Sequence, residues 1–243
     1  MFLSPMLALY LSSCGGQNQR EELGDLFMQS FVCNDDLRSI VAERLEQFSV
    51  RRVESTGLRS AAVAVVLTDV GPGADIPGIR DQRAWSDQAA LLLTRRSESL
   101  RHHPGQWAFP GGRLEAGETL VEAALREMNE EVGVELAEKD VLGCLDDFVT
   151  RSGFAMTPVV VWGGAGLVTR CDPAEVASVH RIPLSEFCRS DAPRLSYTDT
   201  SDHPVLRMPV GEDAIATPTA ALIYQFREVC LMNQATRVAH FEQ

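Results

Sequence analysis

The chain has 243 residues, 45% of them hydrophobic, and a formal net charge of −12. That length and apolar content can bury one sizeable core, so a single domain with extensions is expected. The acidic balance argues against general nucleic-acid binding and against adhesion to an anionic membrane.

Residues 1–35 show no clear structural pattern and read as a flexible N-terminal leader. Phe2 to Leu11 is apolar but too short to span a bilayer. Leu11-Ser12-Ser13-Cys14 resembles a bacterial lipobox, yet a lipoprotein signal also needs a basic n-region and no Lys or Arg precedes Arg20. A flexible leader or a misassigned start codon is therefore preferred. Asp36 to Phe48 has the period of a helix, with Leu37, Ile40, Val41, Leu45 and Phe48 on one side. Ala61 to Leu67 is a continuous apolar strand, Gly71 to Trp85 a Pro/Gly-rich loop, and Ala89 to Thr94 the next strand. After a central helix come strands near Val141 to Val149, Thr157 to Trp162 and Val176 to Ile182. A short helix over Leu184 to Cys188, a hairpin within Arg194 to Val210 and a closing helix over Pro218 to Met232 complete the order. The six cysteines, Cys14, Cys33, Cys144, Cys171, Cys188 and Cys230, have no zinc or C-x-x-C spacing and read as buried thiols of a cytoplasmic protein.

The central helix carries the chemistry. Thr119 and Glu122 have the spacing of a capping box, which starts it near Leu120. Val121, Ala124, Leu125, Met128 and Val132 follow a helical apolar period, and Gly133 stands where a left-handed C-cap is expected. Glu127, Glu130 and Glu131, spaced i, i+3, i+4, project from one face. Like charges so placed destabilise a helix, and a cation bound between them reverses that term. For an arbitrary Glu-rich helix a solvated face is the ordinary reading. Here the carboxylates follow the glycine loop Gly111-Gly112, which suggests a hard divalent metal and phosphate chemistry. Upstream, residues 95–113 hold Arg95, Arg96, Arg101, His102, His103 and Arg113 with Glu98 as the only acid, a local basic patch suited to phosphate oxygens.

Gly112, Glu118, Arg126, Glu127, Glu130, Glu131, Gly133 and Val134 fall on the fixed positions of the Nudix box, with Met128 at its first aliphatic position. The chain therefore resembles the Nudix hydrolase superfamily. Leu92, Leu93, Thr94, Arg96, Ser97, Arg101, Gly105, Phe109, Pro110, Gly111 and Gly112 match without gaps the coenzyme A-recognition motif of its CoA pyrophosphatases. The resemblance covers about residues 36–240 and implies one domain over 36–243, an α/β fold of the α/β/α sandwich type with a mixed sheet. Its weakest part is Ile215 to Ala220, where an Ile-Trp-Gly-x-Thr-Ala pattern is expected.

The resemblance implies Mg²⁺ or Mn²⁺ held by Glu127 and Glu131, with Glu130 ligating or orienting, the Gly111 carbonyl as a further ligand, and an Arg126–Glu118 pair bracing the loop. It implies Arg96, Ser97, Arg101, Phe109 and Arg113 at the substrate, with Ser152 and Phe154 lining the adenine or pantetheine pocket. Glu175, on a loop away from the box, is a candidate general base beside Glu127 and Glu130. The implied reaction is hydrolysis of the diphosphate of CoA or acyl-CoA to 3′,5′-ADP and (acyl-)4′-phosphopantetheine. The alternatives are another nucleoside diphosphate derivative (NADH, ADP-ribose, a nucleotide sugar) and a catalytically silent ligand-binding regulator. The expected partner is the small-molecule substrate, not nucleic acid or membrane. A homodimer stays open, since small members of the family often pair.

Overall fold

The computed structural model describes residues 31–243 apart from 55, 56, 81, 83, 199 and 200. Most of the expected leader, including Leu11 to Cys14, lies outside the described residues. Its last residues do not behave as a leader: Phe31 and Cys33 exchange backbone hydrogen bonds with Ala89 and Asp87, each at 2.7 Å.

Helix α1 spans Asp35–Gln47, capped by the Asn34 side chain, which accepts from the Leu37 N–H. Leu37, Val41, Leu45 and the following Phe48 are buried, whereas Ile40, expected on the same stripe, is 37% exposed. Strand β1 (Arg59–Gly71) is almost wholly buried, as its unbroken apolar run requires of a strand covered on both faces. Strands β2 (Ser86–Arg96), β3 (Trp107–Ala108) and β4 (Gly111–Arg113) precede α2 (Leu120–Val132). Both halves of the predicted capping box are formed, and Gly133 closes the helix at φ 65°.

The strand expected over Val141 to Val149 is two pieces, β5 (Val141–Cys144) and β6 (Phe148–Val149). It breaks because Asp146 and Asp147 turn their carboxylates inward to accept the Arg51 and Val53 N–H groups at 2.7 and 2.9 Å. Then follow β7 (Phe154–Gly164), β8 (Val176–Pro183) and the one-turn α3 (Leu184–Phe187). The expected hairpin, β9 (Arg194–Thr198) and β10 (Ser201–Val210), gains a third strand, β11 (Asp213–Ala216). The closing helix α4 (Thr219–Phe226) runs on into a π-helical turn, Arg227–Leu231.

The main sheet is mixed. Strand β1 runs parallel to β7 and antiparallel to β2 and β4, and β8 is antiparallel to β2. Alternate residues of β1 feed two separate cores. Val63, Val65 and Leu67 pack with α1 and α4, while Ala62, Ala64 and Val66 pack with Ala123, Ala124, Met128 and Val132 of α2. The sheet is thus covered by helices on both faces, the α/β/α arrangement expected. One edge of β1 is shared: β2 pairs with residues 66–71 and β4 with residues 61–63. The two partners part there, and the candidate site residues of the Gly111 loop lie at that split.

Candidate active site

Position 112 sits against α2 so closely that a Cβ there would collide with the Glu127 carboxylate. Gly111 is equally pressed, against the backbone of Ala62 and Val63 in β1. The two glycines therefore let the loop run between sheet and helix. At its far side Arg126 forms a hub. Its Nε and Nη2 donate to Glu118 at 2.8 and 3.1 Å, Nη1 to Glu127 and Glu130 at 2.9 Å each, and Nη2 also to the Arg113 carbonyl at 3.0 Å. The Arg126–Glu118 brace is formed, and it holds the Glu118 carboxyl below its usual range.

The three helix carboxylates differ. Glu130 is 59% exposed and turned to Arg126. Glu127 is half-buried, and burial raises its pKa although Arg126 opposes the shift. Glu131 is 5% exposed and accepts the Gly111 N–H at 3.2 Å. No cation among the described residues pairs with it in an ion pair. Burial pushes its pKa up to about 8, and the carboxylates of Glu127 and Glu175 add to that, against the Gly111 hydrogen bond and Arg96. Among the described residues no three acidic, imidazole or thiol groups converge into a ligand set of their own. Glu127 and Glu131 with the adjoining glycine loop suit a cation that draws its other ligands from water and phosphate, as Mg²⁺ and Mn²⁺ do.

The upstream motif arrives at the same place. Arg96 pairs with Val176 across β2 and β8, and the Ser97 N–H donates to the Glu175 carbonyl at 2.8 Å. This brings Arg96, Ser97 and Glu175 beside the helix carboxylates. The Arg96 Nε is buried without a hydrogen-bond partner. Ser97 is buried, its Oγ 2.9 Å from that of Ser99. Arg101 is exposed on the following loop. Phe109 is buried in the core, a packing position that steers the chain into Pro110-Gly111. Arg113 and Phe154 lie close together, with 5.1 Å between the guanidinium carbon and the ring centre. Ser152 is exposed, its Oγ 3.0 Å from Thr150 Oγ1.

Arg95, counted in the basic patch, is otherwise engaged: it pairs with Asp213 and stacks 3.9 Å from the Trp107 ring. Its charge is spent inside the fold. Sequence reasoning missed two residues. Arg59, at the start of β1, stacks on Phe154, and no local pattern marks it. Asp172 joins the Glu175 loop to α2: its N–H donates to the Glu131 carbonyl at 2.9 Å, and its carboxylate accepts the Ala174 N–H at 2.9 Å. The dipeptide Asp172-Pro173 is the turn signal that could have found it.

A sequence profile of the NUDIX domain matches residues 71–199. The chain is 44% identical over 97 residues to a protein of Photorhabdus laumondii named "Uncharacterized Nudix hydrolase NudL", covering 40% of this chain and 52% of that one. A protein of the same name from Citrobacter koseri is 43% identical over 115 residues, covering 47% and 57%. The matches thus span about half the length of these curated relatives. Among solved structures, a MutT/nudix family protein from Enterococcus faecalis superposes with a TM-score of 0.46 at 16% identity, over 94% of this chain and 75% of that one.

Proposed function

Because this chain belongs to the NUDIX domain family, we propose that it is a metal-dependent pyrophosphatase. Water attacks the diphosphate of CoA or an acyl-CoA, and the products are 3′,5′-ADP and 4′-phosphopantetheine or its acyl form. The observation that carries the proposal is Glu131, a buried carboxylate without an ionic partner among the described residues, set between Glu127 and the Gly111 loop. A group in that position needs a cation to stay charged.

Glu127 and Glu131 would hold Mg²⁺ or Mn²⁺ with the Gly111 carbonyl, and Glu130, freed from Arg126, would ligate or orient. When bound, such an ion supplies neutralisation of the diphosphate and a lower pKa for the attacking water. Arg96 offers a phosphate oxygen its buried Nε–H, a donor that finds no acceptor inside the protein. Ser97 fixes the Glu175 backbone, and Glu175, exposed beside the site, is placed to take the proton from water. Glu127 and Glu130 remain the competing bases. Arg101, exposed on the loop after Ser97, would reach a phosphate of the substrate. The choice of CoA among diphosphates is supported by the ungapped motif from Leu92 to Gly112, which runs directly into the metal loop.

A panel of CoA, acyl-CoAs, NADH, ADP-ribose and deoxynucleoside triphosphates, assayed with Mg²⁺ and with Mn²⁺, tests this. CoA compounds should give the highest kcat/KM. A higher value for NADH or ADP-ribose would move the substrate assignment, and tight binding with no hydrolysis of any compound would favour a regulator.

A further inference from the structure

Arg59 opens β1 and Phe154 opens β7, and the parallel register places them side by side. The Arg59 guanidinium carbon lies 3.9 Å from the centre of the Phe154 ring, and its Nη2 donates to the Ser152 carbonyl at 2.7 Å. Arg113 pairs with Ala61 two residues along β1, which brings its guanidinium carbon to 5.1 Å from the same ring. The turn beneath the ring is tightly tied. The Thr150 N–H donates to the Phe154 carbonyl at 2.8 Å, the Phe154 N–H to Thr150 Oγ1 at 3.1 Å, and the Gly153 N–H to the Thr150 carbonyl at 2.9 Å.

Both arginines are exposed, and neither forms an ion pair among the described residues. Other arginines are neutralised: Arg95 by Asp213, Arg126 by three glutamates and Arg52 by Asp147. Arg59 is instead held by a π-face and a carbonyl, and Arg113 lies by the same π-face, contacts that orient a guanidinium without cancelling its charge. Two like charges around one ring repel, and an anion received by both reverses that term. The pair also abuts the metal loop, because Arg113 directly follows Gly111-Gly112 and its carbonyl is held by Arg126 at 3.0 Å.

We propose that Arg59 and Arg113, presented on Phe154, form an anion subsite for a phosphomonoester of the substrate, separate from the diphosphate that is cleaved. This rests on the function proposed above and sharpens it, since the 3′-phosphate of CoA is a group of that kind. A phosphomonoester dianion offers three oxygens to two planar forks, which a neutral ribose hydroxyl does not.

Direct binding tests the subsite without turnover. Adenosine 3′,5′-bisphosphate and adenosine 5′-monophosphate are titrated calorimetrically into the full chain in Mg²⁺, and into Arg59→Ala and Arg113→Ala. The wild type should bind the bisphosphate at least ~10-fold more tightly, the scale of one charge-assisted contact. Each variant should bring the two affinities within about threefold of each other. A wild type without the preference, or variants that keep it, would overturn the subsite. Two variants on separate strands keep the result readable if one of them folds poorly. An arginine-dependent preference without CoA hydrolysis would sink the proposed function alone. Hydrolysis of CoA without the preference would sink the subsite alone.

Discussion

A carboxylate enclosed by protein and facing other carboxylates gives up its charge unless a cation compensates it. Glu131 is in that position, with its pKa raised from the usual 4.5 to about 8, by burial first and then by Glu127 and Glu175. The folded-state value is raised, so the associated stability is complete below about pH 4.5 and declines as pH rises towards 8. At pH 7 the metal-free protein therefore keeps Glu131 largely protonated, and ionising it there would cost about 1.4 kcal/mol. Binding Mg²⁺ at pH 7 should release about one proton, read from the dependence of calorimetric heat on buffer ionisation enthalpy. Glu131→Gln should fold, abolish most of that release, and lower kcat more than ~100-fold. Proton-neutral uptake of the ion by the wild type, or near-normal kcat in the variant, would remove Glu131 from the metal site.

At the scale of elements, the loop from β4 into α2 owes its geometry to two glycines that differ in kind. A Cβ at position 111 would meet the backbone of β1, whereas one at 112 would meet only the end of the Glu127 side chain. Gly111→Ala should therefore disrupt β4 pairing. Gly112→Ala can be accommodated by swinging Glu127 aside, so its melting temperature should stay within about 2 °C while Mg²⁺ affinity falls ~10- to 100-fold, as for other displaced ligand supports. Unchanged affinity, measured by calorimetry, would show that Glu127 does not need its present position. The limits of α2 were legible in the sequence because its cap, apolar period and C-terminal glycine are all local. Strands β3, β4 and β11 were not, because two to four residues carry too little periodicity and gain their pairing only from neighbours distant in sequence. The site divides in the same way. Glu127, Glu131 and Arg126 follow from spacing on one helix, and the Glu175 contact with Ser97 follows from the β2–β8 register. The capture of Arg95 by Asp213, 118 residues on, had no local sign.

For the molecule as a whole, the two cores flanking the sheet must be tied at its ends, and one knot joins four segments distant in sequence. Asp146 is 5% exposed between β5 and β6. Its carboxylate accepts from Arg237 Nη1 at 2.7 and 2.8 Å, from the Arg51 N–H at 2.7 Å and from Gln225 Nε2 of α4 at 2.9 Å. Gln225 Oε1 in turn accepts the Asp146 N–H at 3.2 Å, and Arg237 Nη2 reaches the Ser49 carbonyl at 3.0 Å. The adjacent pair Asp146-Asp147 falls in a stretch that reads in sequence as one continuous strand, because partners 79 to 95 residues away decide the break and the burial of the carboxylates. Removing Asp146 leaves the Gln225 amide and the Arg51 N–H without their acceptor and the half-buried Arg237 without its counter-charge, which costs about 3 kcal/mol, the low end of the range for a buried pair. In a domain of this size about 3 kcal/mol corresponds to a drop of roughly 6–12 °C in melting temperature. Asp146→Ala should show a loss of that order by calorimetry, with kcat at 20 °C within about twofold of wild type because none of the metal-loop groups touches the knot. Gln225→Ala should lose less, since it leaves the Arg237 pair intact, and the double variant should fall short of the sum because the residues share one network. Additive losses would mean that α4 and the C-terminal segment are anchored independently, and that the closing helix is held by its apolar face alone.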